Sequence, residues 1–285
     1  MKKVVKILLC SSLFFACQES PQDIKKEEVA TEVETEKPST KNATYYASYV
    51  GAFEAAEVIK DNNATYSNLI NITITQLENG KASGRSIIAG NDRPFTGTYQ
   101  QSGAIFDIVA TEPGDDKHDG RFECRLDTST LTLSGKWYCN DSTIAVPIRK
   151  FELKKKEFVY NAENNFQESV VGLSLYNGSD MDEGGYEAIT EKVTKINAST
   201  TKLSKKDVEN LYKGDLEIIR NAIYARHGYS FRNRRMRYFF DNSVDWYMPM
   251  NVDVRSQLTE VEKENIDLLK RYENHAEKYY DEYSR

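Results

Sequence analysis

The 285-residue chain has little of several residue types: four cysteines, three histidines, six prolines and two tryptophans. So few thiols and imidazoles exclude a dense disulfide scaffold and a large metal centre. Basic charge is not in excess either. The 38 Lys+Arg stand against 44 Asp+Glu, and a formal charge of −6 excludes a uniformly basic nucleic-acid binder. With 39% hydrophobic and 29% charged residues the chain does not read as a polytopic membrane protein. No nucleophile elbow, HExxH or paired catalytic motif occurs, so no cofactor is expected and enzymatic activity is not the favoured reading. What is present is aromatic, with 18 Tyr and 12 Phe in a length suited to one or two folded domains.

The N-terminus carries an address. Lys2, Lys3 and Lys6 precede the short apolar run Ile7 to Ala16, and Cys17 follows. The run is too short to span a bilayer, which takes about 20 residues. A basic start, a short apolar core and a small residue before the cut are the parts of a secretory signal. Leu13-Phe14-Phe15-Ala16-Cys17 resembles the lipobox of bacterial lipoproteins, although Phe14 and Phe15 are larger than usual there. That resemblance implies removal of residues 1–16, acylation of Cys17 with fatty acids such as palmitate, and attachment to the membrane through lipid, with the outer membrane as the expected address. Two or three acyl chains anchor stably where one does not. Loss of the three lysines takes the formal charge from −6 to −9. Residues 17–43 are poor in apolar side chains and are expected to form a disordered tether.

Residues 44–160 read as antiparallel β. Apolar positions alternate, and turn residues recur at the spacing of an all-β sandwich or barrel. Ile70, Ile72 and Ile74 share a face, and Asn79-Gly80 marks a type I′ hairpin. Segments 46–53, 95–100, 105–110, 122–126, 131–137 and 144–151 read as further strands, about eight in all, with a core filled by side chains favoured over a hollow one. Outside a reducing compartment Cys124 and Cys139 tend to pair. A turn at 127–130 sets Cys124 opposite Leu133, however, and leaves Cys139 six residues further along. That is about 20 Å at about 3.3 Å per residue, against the roughly 7 Å a disulfide tolerates. Either strand bending joins them or they remain separate thiols.

The loop from Glu112 to Gly120 gathers Asp115, Asp116, His118 and Asp119. Its carboxylates are a candidate set for a hard cation, or a general base for a hydrolase or a hydrolase's accessory subunit. The spacing is not that of an EF-hand, and a solvated turn is the favoured reading. Residues 161–203 are Gly-, acid- and Ser/Thr-rich and read as a connector.

Residues 204–285 read as a small all-α domain, which makes the whole chain α+β and multidomain. Ser204 and Asp207 mark one helix start, and Leu216, Ile219, Ala222 and Ile223 form an apolar stripe ending at His227-Gly228. Asn233 is placed to cap a helix bearing Met236, Phe239 and Phe240, and Thr259-Glu260-Val261-Glu262 is a capping box. The helix behind it is expected to turn Val261, Asn265, Leu268, Tyr272, Ala276, Tyr279 and Tyr283 to one face. Tyr224-Ala225-Arg226-His227-Gly228, with Leu216 to Asn221, Tyr238-Phe239 and Trp246-Tyr247, resembles the YARHG domain of bacterial extracellular proteins. The resemblance implies an envelope location and this architecture, and it carries no catalytic residues. Arg220, Arg226, Arg232, Arg234, Arg235 and Arg237 lie between Ile218 and Phe240 with no acid among them. Interleaved with aromatics, they are candidates to hold an anionic cell-wall or surface glycan, or an envelope protein, through forked guanidinium contacts. Tyr224, Arg226, His227, Arg232, Arg234, Arg235, Arg237 and Trp246 are the candidate binding residues. The competing expectation is structural, with arginines paired to Glu260, Glu262, Glu264 and Asp267.

Overall fold

Eight strands follow one another from residue 48: β1 (Ser48–Glu57), β2 (Ser67–Glu78), β3 (Lys81–Ile88), β4 (Asn91–Ser102), β5 (Ile105–Thr111), β6 (Gly120–Asp127), β7 (Thr132–Cys139) and β8 (Ile148–Lys156). Each pairs antiparallel with the next, and β8 returns to β1, so the sheet closes into an up-and-down barrel without free edges. The computed structural model describes residues 40–60, 64–175 and 188–279. The signal, Cys17, the tether through residue 39, the Gly-rich part of 161–203 and Tyr283 lie outside them. Asn79 and Gly80 adopt φ of 51° and 75°, the hairpin expected from that dipeptide. The last strand starts later than the alternation suggested. Pro147 has no N–H for a ladder; its carbonyl instead accepts from Cys139 N at 2.8 Å.

Inward positions alternate along every strand, and Tyr49, Ile70, Ile72, Leu77, Phe106, Leu126, Leu133 and Leu153 fill the barrel. The void left among them is about 10 Å³, no larger than about the 10–15 Å³ that one water needs, so this part of the barrel is packed. A 3₁₀ turn at Thr40–Tyr45 closes one end. Asn42 Nδ2 donates to Leu77 O at 2.5 Å, and the Tyr45 ring packs 5.6 Å from that of Phe106. The last residues of the expected tether therefore belong to the folded unit.

Five helices follow among the described residues: α1 (Lys192–Lys195), α2 (Lys205–Val208), α3 (Lys213–Arg226), α4 (Arg234–Ser243) and α5 (Glu260–Tyr279). Their starts are those the capping residues announce. Ser204 and Asp207 form a capping box, Asn233 accepts from Arg235 N and Met236 N, and Thr259 exchanges hydrogen bonds with Glu262. The buried face of α5 differs from expectation. It carries Glu262, Asn265, Ile266, Leu269 and Ala276, whereas Tyr279 is 71% exposed. Asn265 and Ala276 are common to both faces, Leu268 and Tyr272 are partly buried against the core, and the face is completed by Ile266, Leu269 and Glu262, which meets His227. None of these helices is long and apolar enough to cross a membrane.

The segment 161–203 is more than a connector. Phe166, Val170, Leu175, Ile189, Val193 and Ala198 are buried in one core with α3, α4 and α5. Their spacing among Asn, Gly and Thr follows neither a helical nor a strand period, so pattern reading passes over them.

Barrel and helices form one compact unit from Ser39 onward. Asn71 points out of the barrel yet is fully buried, because its Nδ2 donates to Pro249 O at 2.9 Å and to Met250 Sδ at 2.8 Å. The β3–β4 turn makes the second joint. Gly90 N donates to Ser230 Oγ, and Arg232 Nε donates to Gly90 O, both at 2.9 Å.

Candidate ligand site at the barrel mouth

The end opposite the 3₁₀ turn is different in chemistry. Five of the eight strand faces continue their inward alternation by one more position there, and that final rung is polar: Asn68 beyond Ile70, Ser86 beyond Gly84, Arg93 beyond Phe95, Arg149 beyond Phe151 and, just past the end of β5, Glu112 beyond Ala110. Phe53, Phe122 and Trp137 form the floor of a cavity of about 400 Å³, a volume within the about 300–1,000 Å³ usual for small-molecule sites. Arg237 reaches into it from α4, so both units line it.

Three guanidiniums line it, and with Arg93 paired to Asp119 the other two, Arg149 and Arg237, dominate its charge. Arg149 donates to Phe53 O (3.1 Å) and Thr65 O (2.8 Å) and lies 5.3 Å from the centroid of the Phe53 ring. Burial lowers its pKa to about 10 and the charge of Arg237 adds to the shift, so it stays protonated at neutral pH. The charged neighbour that acts on Arg149 is another cation, not an acid. Arg237 donates to Arg232 O at 3.1 Å. The acid that acts on it, Asp241, is itself raised to about 7 by burial, against the pull of the Leu69 N–H and of Arg237. Asp241 is therefore only partly ionised at neutral pH. Beside Arg237 lies Asn68, 7% exposed, whose Oδ1 has no hydrogen-bond partner.

The acidic loop frames this mouth, and its carboxylates are spent on neighbouring donors. Glu112 is 6% exposed and accepts from Ser86 Oγ at 2.9 Å, Gly120 N at 2.8 Å and Trp137 Nε1 at 3.1 Å, tying three strands together. Burial pushes its carboxyl pKa up more strongly than those donors and Arg93 pull it down. Asp119 accepts from Gly114 N and Asp116 N and pairs with Arg93 Nε at 2.8 Å, while Asp116 lies 3.5 Å from Arg93 Nη2. Asp115 and His118 are exposed. Among the described residues no group of three His, Cys, Asp or Glu side chains, the candidate set Asp115, Asp116, His118 and Asp119 included, is arranged to hold a metal ion. Arginine pairing and turn capping use the carboxylates instead.

Cys124 and Cys139 are both free. Cys124 faces Gly135, and Cys139 faces Gly120, four residues along the same strand pair. That is about 13 Å at about 3.3 Å per residue, beyond disulfide reach. The turn lies one residue later than expected, which shortens the separation, yet the thiols stay apart and the candidate bridge is not made.

Most of the basic segment is committed to structure. Arg226, 2% exposed, donates to Asn164 O (2.8 Å) and Ser199 Oγ (3.3 Å) and lies 5.7 Å from the Trp246 ring centroid. Trp246 donates to Asn165 O at 2.9 Å. His227 is 2.9 Å from Glu262 and stacks on Tyr160. Arg232 and Arg234 bond barrel carbonyls, at Gly90 and at Ala64 (3.1 Å). Arg220 grips Glu273 and Arg235 pairs with Glu217 at 3.1 Å, not with the acids expected from α5's first turns. Tyr224 packs beside Tyr229 in the wall of a second cavity, of about 410 Å³, which Arg220, Arg255 and Lys270 also line. Of the eight candidates, Arg237 alone lines the barrel mouth.

Asn68, Arg93 and Arg149 were missed. The one available signal was that each continues an inward strand face with a polar residue, and it becomes visible only once strand ends are known. None of the curated proteins matches the chain. Residues 191–274 match the family model of the YARHG domain, a domain of extracellular and envelope proteins, and the C-terminal part of this chain is accordingly a YARHG domain built onto a closed eight-stranded barrel.

Proposed function

We propose that this is a non-catalytic, lipid-anchored envelope protein, held in the outer membrane through acylated Cys17, which binds an anionic envelope component at the barrel mouth. The observation that carries the reading is the pair Arg149 and Arg237, one from each unit, lining one cavity, where the charged neighbour acting on Arg149 is a cation and the acid acting on Arg237, Asp241, is raised to about 7. A protein stabilises two close guanidiniums poorly, and an anion between them removes the repulsion. The YARHG domain contributes one guanidinium and the barrel the other. That division explains why the domain sits over the mouth.

The test is a titration of the full-length protein in detergent with oligoglucuronate, inorganic phosphate and sulfate, followed by tryptophan fluorescence, because Trp137 lies in the cavity wall. Saturable binding that weakens with salt and falls about tenfold in Arg237→Gln, equivalent to about 1.4 kcal/mol, is the expected result. Absence of binding by all three anions overturns the reading.

A further inference from the structure

The charge pair says that the ligand is an anion but not which kind, and a second observation narrows it. Asn68 Oδ1 is a buried acceptor without a partner, in a side chain 7% exposed, on the inward face of β2 two residues from Ile70. Nearly all buried polar groups are bonded, so an orphan beside a cavity points to a donor that arrives with the ligand. A sulfate dianion brings acceptors only. The third feature is the floor, where Trp137 and Phe53 pack edge to face at 5.8 Å and Phe122 lies alongside. Aromatic walls suit a ligand with an apolar C–H face. A cavity of about 400 Å³ has room for one ring-sized unit, with the rest of a longer chain left in solvent.

We infer that the site takes an acidic sugar unit, its carboxylate between Arg149 and Arg237, a hydroxyl or N-acyl N–H donating to Asn68 Oδ1, and its C–H face on Phe122 and Trp137. The inference rests on the proposed anion-binding role and specifies it. Asn68 is then a specificity residue, because it rewards a donor that a simple anion lacks. Leaving its carbonyl unpaired disfavours the empty state, and that cost is recovered only by a ligand bearing the donor.

The experiment compares oligoglucuronate, uncharged cellotetraose and sulfate on the full-length protein and on Asn68→Leu, a near-isosteric change. Oligoglucuronate is expected to bind at least tenfold more tightly than either other probe. Asn68→Leu is expected to weaken oligoglucuronate about tenfold, leave sulfate unchanged, and leave the melting temperature of the unliganded protein unchanged or raised. A drop in that melting temperature makes Asn68 structural and overturns the assignment. Equal affinity for sulfate and oligoglucuronate, unmoved by Asn68→Leu, overturns the sugar class while the anion-binding role stands. Cellotetraose binding as well as oligoglucuronate removes the acidic requirement, and both readings fall if nothing binds.

Discussion

Two buried glutamates, one in each region, behave in opposite ways. Glu112 in the barrel and Glu262 in the helical unit are both secluded and both accept several hydrogen bonds. Burial raises each. In Glu112 that effect prevails, because its donors are a hydroxyl, an indole and one backbone N–H, and the nearby Arg93 is committed to Asp119. Glu262 ends at about 2, since His227, Thr259 and Ser199 together outweigh its burial. It also sits in the first turn of α5, where the helix dipole favours an anion. The count of hydrogen bonds does not decide the ionisation of a buried carboxylate. The nature of the donors and the direction of the local dipole do.

The strongest way to break this comparison is to remove the helical member. Glu262→Ala leaves His227, Tyr160 and the Thr259 N–H without their acceptor, and loss of one partner from such a buried pair is expected to cost about 3–5 kcal/mol in urea unfolding. Glu112→Ala is expected to cost less, about 1–3 kcal/mol, as neutral donors lose an acceptor. If the two variants prove equally destabilised, the contrast is wrong. A second cut tests whether the regions unfold as one. A Cβ at Gly90 would come 2.0 Å from Arg232 Cγ, at a φ of 73°. Gly90→Ala is therefore expected to destabilise the fold, by about 1–3 kcal/mol of strain, and to separate barrel and helical transitions that are expected to coincide in the wild type.

The smallest effect is in pH. Glu262 has its pKa lowered on folding, from 4.5 to about 2, so the stability it contributes is complete above about 4.5 and is lost as pH falls towards 2. Glu112 is raised on folding and contributes in the opposite sense, with stability present at low pH and lost as pH rises through its folded value. Glu262→Gln is expected to be most destabilising at neutral pH and to converge on the wild type in acid. Glu112→Gln is expected to improve relative to wild type as pH rises. Parallel pH profiles for the two variants would remove the distinction between them.

The sequence showed the barrel more clearly than the joint. Alternation in Ile70 to Ile74, the Asn79-Gly80 turn and the capping residues at Ser204, Asn233 and Thr259 each act locally, and local signals survive without tertiary knowledge. Asn71 shows the limit. Alternation makes it an outward, solvent-facing residue, and only the second unit's Pro249 and Met250 turn it into a buried donor. The arginines show the same limit. A structural role was open to them from the sequence, but Arg232 and Arg234 find backbone carbonyls about 140–170 residues away in sequence, which no composition argument locates. The mouth was hidden because its residues come from seven strands, their loops and a helix, one or two residues at a time.

The 3₁₀ turn at Thr40–Tyr45 settles a practical matter. The described chain enters the barrel at the plugged end, and the cavity opens at the other. Any attachment made upstream of residue 40 thus loads the closed base of the barrel. Immobilising the protein through its N-terminus should leave the mouth free to sample the surrounding solution.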